Sequence, residues 1–322
     1  MHTQDEMVQP DQESIALSDH RGPRIGRHMP TNSNPVKAAR QAQQLGCEAI
    51  QIFASNPTGW QPPADDPARC AAFAQAARDH NLDPVVIHAP YLINLASPDD
   101  IIWEKSIALL SWTLQRGALL GAKYVVFHTG SHRGTGVETG IQRIVRALER
   151  ILPETPREVM LLLENDVGAG NSLGHSFEQL ATILNMLPHY ADRLGVCLDT
   201  AHLWGAGHDI STPQSTQDVL RQVDESIGLS RLEIIHLNDT EKALGSHRDV
   251  HARVGEGIIG SPGLRALLLD ARLARVVVLL ETPIKTTEDG KEDWEHDKHH
   301  LERVFQLMGR KLNPVNSRST SL

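Results

Sequence analysis

Six apolar, largely β-branched runs in this chain close on, or within a residue or two of, a histidine, aspartate or glutamate: PVVIH at His88, YVVFH at His128, VMLLLE at Glu164, GVCLD at Asp199, LEIIH at His236 and VVVLLE at Glu281. Imidazole nitrogen and carboxylate oxygen are the usual ligands of divalent cations such as zinc. Side chains alternate along a strand, so one such residue at a strand end means little. Six in succession would line one rim of a closed parallel sheet. The chemistry this predicts is that of a catalytic rim holding more than one metal ion.

Two short motifs extend the set. In Asp199-Thr-Ala-His202 the carboxylate and the imidazole follow the same strand, and in Asp249-Val-His251 an extended loop would point both side chains one way. Nine candidate ligands, at about three protein ligands for each catalytic zinc, give three metals. Each residue also has a plainer reading when taken alone. His88 or His128 could be a hydrogen-bonded barrel-mouth histidine, Glu164 or Glu281 a rim carboxylate paired with arginine, and Asp249 with His251 part of a solvated loop beside Arg248 and Arg253. The joint pattern favours metal. His132, four residues past His128, is expected to support the ligands from behind them. His175, His208 and His247 read as loop residues. His296, His299 and His300 read as the polar face of a last helix whose inner face holds Trp294, Leu301 and Val304.

Placing such ligands requires eight strands, expected at 24–28, 49–53, 84–88, 123–128, 159–164, 194–199, 232–237 and 276–281. Helical patterns lie between them at 35–45, 67–80, 101–120, 141–152, 177–187, 213–227, 262–269 and 295–308, several with proline in the first turn, and Gly46 and Gly121 stand where C-caps belong. This alternation predicts a single (β/α)8 TIM barrel with its site at the C-terminal rim of the strands. The catalytic domain is expected over 24–311, after a disordered polar arm at 1–23 and before a frayed tail at 312–322.

Charge leaves the partner open. The formal net charge of −9 argues against a nucleic acid, yet four candidate ligands are carboxylates whose charge divalent ions would offset. Cys47, Cys70 and Cys197 lack any C-x-x-C spacing, so neither a disulfide framework nor a thiolate zinc site is expected. No stretch has the unbroken apolar length of a membrane span and the N-terminus lacks secretory character, so a soluble cytoplasmic protein with no membrane partner is expected.

The strings His88-Ala-Pro-Tyr-Leu-Ile-Asn-Leu95, His128-Thr-Gly-Ser-His132, Leu163-Glu-Asn165, Gly195-Val-Cys-Leu-Asp-Thr-Ala-His202, His236-Leu-Asn-Asp239, Arg248-Asp-Val-His251, Gly255-Glu-Gly257 and Leu280-Glu-Thr282 resemble endonuclease IV, the zinc-dependent apurinic/apyrimidinic endonuclease family of base-excision repair. The likeness runs from about Ile25 to about Thr282. It implies a first zinc on His88, His128 and Glu164, with Glu164 bridging to a second zinc held by Asp199, His236 and Glu281. A third zinc would sit on His202, Asp249 and His251. It further implies incision 5′ to an abasic site in double-stranded DNA by a metal-bridging hydroxide, leaving a 3′-OH and a 5′-deoxyribose phosphate. Glu281 and Glu164 are then the catalytic carboxylates, and Tyr91 and Leu92 match the family's DNA wedge. A monomer is expected.

Two loops depart from the family pattern. Gly26-Arg-His28 runs into Met-Pro-Thr-Asn-Ser-Asn-Pro35 where a Gly-Gly pair is common, and Thr58, a DNA-facing position, stands where many members carry arginine. The rival reading is a xylose-isomerase-like sugar isomerase or epimerase using one ion on Glu164, Asp199, His236 and Glu281. It leaves His88, His128, His202, Asp249 and His251 without a purpose.

Overall fold

Parallel strands pair in chain order and the last returns to the first, so the sheet closes on itself. The computed structural model describes residues 22–312 except 32, 33, 65, 288 and 291. Its strands are β1 (Arg24–His28), β2 (Ala49–Phe53), β3 (Val85–His88), β4 (Ala122–His128), β5 (Met160–Glu164), β6 (Leu194–Asp199), β7 (Leu232–His236) and β8 (Val277–Leu280). The helices are α1 (Pro35–Leu45), α2 (Pro67–Asp79), α3 (Asp100–Leu119), α4 (Val137–Ile151), α5 (Phe177–Asn185), α6 (Thr200–Ala206), α7 (Pro213–Ser226), α8 (Ser261–Leu268) and α9 (Trp294–Leu307). This is the (β/α)8 TIM barrel the alternation predicts.

Local chemistry sets the helix ends. Asn34 and Asp66 accept the Lys37 and Arg69 amides ahead of Pro35 and Pro67, and Gly46 closes α1 in the left-handed conformation. Two starts differ from expectation. α4 begins at Val137, ahead of its apolar periodicity, and α6 forms where no helical pattern is read, because Asp199 accepts the His202 amide at 2.9 Å and so caps a helix directly on β6.

Strand parity divides the core in two. Ala49, Val86, Tyr124, Val126, Leu162, Cys197, Ile234 and Leu279 fill the barrel interior, while the alternate residues, among them Ile87, Val125, Leu163 and Ile235, pack outward against the helices with Phe73, Leu110 and Phe305. Continuing the inward parity by one step from Val86, Val126, Leu162, Cys197, Ile234 and Leu279 reaches His88, His128, Glu164, Asp199, His236 and Glu281. The apolar plug is therefore the floor of the ligand ring. His128 is the register partner of Glu164, and Asp199 that of His236, which sets them side by side at one level. Gly26 faces Ala49, where an added Cβ would lie 2.1 Å from the Ala49 carbonyl oxygen, so β1 and β2 approach only without a side chain there.

The two ends of the described chain meet. Arg310 donates to the Pro23 carbonyl at 2.9 Å and pairs with Glu48, whose other oxygen accepts the Ile25 amide at 3.0 Å. Leu312, assigned above to the frayed tail, instead packs against the core beside Gly46. The rest of that tail, and residues 1–21 of the expected arm, lie outside the described residues.

Candidate metal centre

Glu164 is the hub. Its carboxylate is almost wholly buried at the end of β5, and its two oxygens face different imidazoles. Oε2 lies 3.2 Å from His88 Nε2 and 3.5 Å from His128 Nε2; Oε1 lies 2.9 Å from His236 Nδ1, which is itself 3.1 Å from Glu281 Oε2. Ligand atoms of His88, His128 and Glu164 fall within 4.8 Å of one another, as do those of Glu164, Asp199, His236 and Glu281, and those of Asp199, His202 and His251. Asp249 completes the last group, its Oδ1 lying 3.3 Å from His202 Nε2 and 3.1 Å from His251 Nε2. All nine predicted ligands converge on one rim.

The loop after β7 brings Asp249 and His251 in from a distance, and a buried carboxylate shapes it. Asp239 accepts the amides of Thr240, Gly255, Ile259 and Gly260 at 2.8–3.1 Å, and its backbone pairs antiparallel with Ala252. Gly257 belongs to the same turn, where a Cβ would lie 2.4 Å from Asp239 Oδ1.

Hydrogen bonds outside the ligand set fix which ring nitrogen each histidine presents. His88 Nδ1–H donates to the Ala89 carbonyl at 2.7 Å and His202 Nδ1–H to the Asn165 carbonyl at 2.9 Å, which leaves Nε2 of each for the centre. His236 is turned the other way. Its Nε2–H donates to Gln51 Oε1 at 3.0 Å, presenting Nδ1. Gln51 also donates through Nε2 to Glu281 Oε1 at 2.6 Å and lies 3.0 Å from His28 Nδ1. Asn238 donates to Asp199 Oδ2 at 2.6 Å and accepts the Glu281 amide at 3.1 Å, while Asn165 accepts the Asp199 amide at 2.6 Å. These supporting residues escaped the sequence reading. Gln51 and His28 share the inward parity of the ligands and could have been found by it; Asn165 and Asn238 stand one and two residues past ligand-bearing strand ends.

The donor set carries no cation of its own. Among the described residues no lysine or arginine forms an ion pair with Glu164, Asp199, Glu281 or Asp249; their charged neighbours are imidazoles. Burial alone would raise the Glu164 carboxyl, but the imidazoles of His128 and His236 hold it well below the usual range. Burial likewise works against a proton on His202 and on His251, yet Asp199 and Asp249 outweigh it, raising His202 well above its ordinary value and His251 to about 9. Protons held this firmly beside a buried carboxylate, Asp199, and a second one at the rim, Asp249, mark places where divalent ions fit. Cys197 also lies within reach of Glu164 and His236, but burial pushes its thiol up to about 12, so it behaves as floor rather than ligand.

Beyond the ligands the rim opens into a cleft of about 460 Å³ bordered by His28, Phe53, Tyr91, His251, Glu281 and Pro283. Tyr91 is 56% exposed, its ring 5.5 Å from that of His88 and 5.4 Å from Phe53, while Leu92 is half-buried and Ile93 joins the core. Thr58 is exposed on the neighbouring loop, its amide and hydroxyl both held by Asn56 Oδ1, and the Tyr91 amide donates to the Pro57 carbonyl at 3.0 Å. His132 is a correction. Its Nδ1 accepts the Gly134 and Gly136 amides at 3.2 and 3.0 Å, so it shapes its own loop instead of bracing a ligand. His300 is another, being buried on the inner face of α9 together with Asp297.

The chain matches the family model of the xylose isomerase-like TIM barrels over residues 39–304. Within that class, a probable endonuclease 4 of Natranaerobius thermophilus is 42% identical over 287 residues, covering 89% of this chain and 98% of that protein. The crystal structure of endonuclease IV from Thermus thermophilus superposes with a TM-score of 0.76 at 37% identity, over 89% of this chain and 99% of that one. The chain belongs to the endonuclease IV family. A D-tagatose 3-epimerase-like protein also aligns, with a TM-score of 0.65 over 89% of this chain and 98% of its own, but at 17% identity it shares the fold alone.

Proposed function

We propose that this protein is a DNA-repair endonuclease that hydrolyses the phosphodiester 5′ to an abasic site in double-stranded DNA, leaving a 3′-OH and a 5′-deoxyribose phosphate, with three zinc ions as cofactor. The observation that carries the reading is the convergence of nine imidazole and carboxylate ligands on one rim, beside an open cleft that His251 and Glu281 border. Zinc at these positions would lower the pKa of bound water toward neutrality and receive the charge that builds on phosphate oxygens. His88, His128 and Glu164 would hold one ion; Glu164, Asp199, His236 and Glu281 a second; His202, Asp249 and His251 the third.

The chain's own groups do the rest. Glu281 borders the cleft while Gln51 and Asn238 fix its side chain and backbone, so it is the carboxylate placed to orient an attacking water and take its proton. Tyr91 stands clear of the core at the cleft edge, a flat apolar surface for the base pairs flanking an extruded nucleotide. Burial and the charge of Glu281 raise its phenol, which therefore stays neutral.

A one-ion sugar isomerase would need only Glu164, Asp199, His236 and Glu281. The experiment that separates the readings is incubation of the purified protein with a duplex bearing one abasic analogue, with and without chelator. Incision 5′ to the lesion that chelator abolishes is expected; intact duplex together with turnover of a ketose would overturn the proposal.

A further inference from the structure

We propose that Asp297 is a positioning residue for the metal centre: one buried carboxylate on α9 that clamps the segments carrying Glu281 and His251 through Arg27 and Arg253. Its Oδ1 lies 2.9 Å from Arg27 Nη1 and 3.6 Å from Arg253 Nη2. Both guanidiniums reach onward to the chain just past Glu281. Arg27 Nη2 donates to the Thr282 carbonyl at 3.0 Å and Arg253 Nη2 to the Pro283 carbonyl at 3.2 Å. Arg253 follows His251 by two residues, and the next amide, of Val254, donates to His300 Nε2 at 3.0 Å, one helical turn beyond Asp297. A single face of α9 thus grips the loop after β7 at two points, and the two arginines paired with Asp297 reach the segment after β8 at two more.

The geometry makes Asp297 the keystone of this set. Arg27 and Arg253 carry like charges into a buried space, and they can share it only because a carboxylate lies between them. Without that charge the guanidiniums repel, and each arm is linked to a segment that ends in a ligand. Arg27 stands at an outward position of β1, and its hydrogen bond to the segment after Glu281 runs to the Thr282 backbone, so the clamp reaches that ligand through the chain. The inference rests on the metal-centre reading for its effect on catalysis, but the clamp itself is a property of the polypeptide.

Two readouts separate a clamp from a simple weld of α9 to the barrel. Hydrogen exchange of the metal-stripped protein reads the segments directly. In Asp297→Asn, peptides spanning 250–256 and 281–286 should exchange faster than in the parent, and Asp297→Glu should restore much of the protection. Metal retention against a chelator reads the consequence: Asp297→Asn should release one of its ions roughly tenfold faster or more, with kcat reduced to a similar degree and KM little changed. Should Asp297→Asn fail to fold, Arg253→Gln removes one arm at the edge of the cluster and should give the same two changes in smaller measure. Exchange confined to α9, with metal retention and kcat as in the parent, would overturn the clamp. A parent protein that holds no metal while the two segments still loosen in Asp297→Asn would instead overturn the metal reading and leave the clamp standing.

Discussion

Two buried clusters of charge lie at the C-terminal end of this barrel, and they are balanced by opposite means. Around Asp297 the anion is met by built-in cations, the guanidiniums of Arg27 and Arg253. Around Glu164 the anions are met by imidazoles, which hold a proton or surrender it according to what else arrives. A buried carboxylate with arginine is a joint; a set of carboxylates with histidine has the composition that could receive added cations. The difference lies in the partner, since Asp297 and Glu164 are themselves equally buried.

The largest test of this contrast is to strip the metal. Exhaustive chelation should remove three zinc per chain by mass spectrometry, abolish incision and lower the melting temperature by roughly 10 °C or more, because ions that bind only the folded chain stabilise it by mass action. A melting temperature unmoved by chelator would mean that the rim, like the Asp297 cluster, is balanced without added cations. Next in size is Glu281→Gln, which should fold normally yet cut strand incision on the order of 10² to 10⁴-fold. Near-parental turnover would remove Glu281 from the chemistry.

A smaller effect belongs to the arginine cluster. His300 is 5% exposed and accepts the Val254 amide through Nε2, so it must be neutral there. Burial, aided by the charge of Arg253 and Arg27, pushes its pKa down to about 3. Below its ordinary value near 6.5 the unfolded chain takes a proton that the folded chain refuses. Stability should therefore fall as pH drops from about 6.5 toward 3, by up to about 1.4 kcal/mol per pH unit. In urea melts of the metal-stripped protein, His300→Gln, which keeps an acceptor but cannot titrate, should show a shallower decline than the parent between pH 6.5 and 4.5. Parallel profiles would mean that His300 titrates normally. The smallest effect is expected at the open edge of the cleft, where Thr58→Arg should tighten binding to abasic duplex and steepen its salt dependence by about one counterion. An unchanged salt slope would place the 56–60 loop away from DNA.

What the sequence discloses about this molecule follows from periodicity. The strand runs are long enough to show their alternation, so the barrel and the six strand-end ligands could be read directly, and two spaced pairs supplied the other three. Residues that work by hydrogen bonding outside the ligand set could not be read in the same way. Gln51 carries the inward parity but is not a metal-ligand type, and Asn238 matters only because β7 and β8 bring it beside Glu281. On α9 the expected inner residues Leu301 and Val304 are buried, but His300, expected on the polar face, lies inward with them. Asp297, His300, Leu301, Val304 and Phe305 follow helical spacing and are all buried, but two of the five are polar, and polarity reads as exposure until Arg27, distant in the chain, supplies the partner. His132 shows the converse, a histidine near the ligands in sequence whose hydrogen bonds stay within its loop.

The Asp239 cradle bears on how the centre is filled. Four amides on one carboxylate, with the Ala252 pairing, tie down the flanks of the loop bearing Asp249 and His251 through contacts that require no ion. The conformational entropy of that loop is therefore lost when the polypeptide folds, before any metal ion is bound. Reloading a stripped protein should then proceed at the pace of ligand exchange around the ion, with stripped and loaded forms differing in the charge of the rim and hardly at all in its shape.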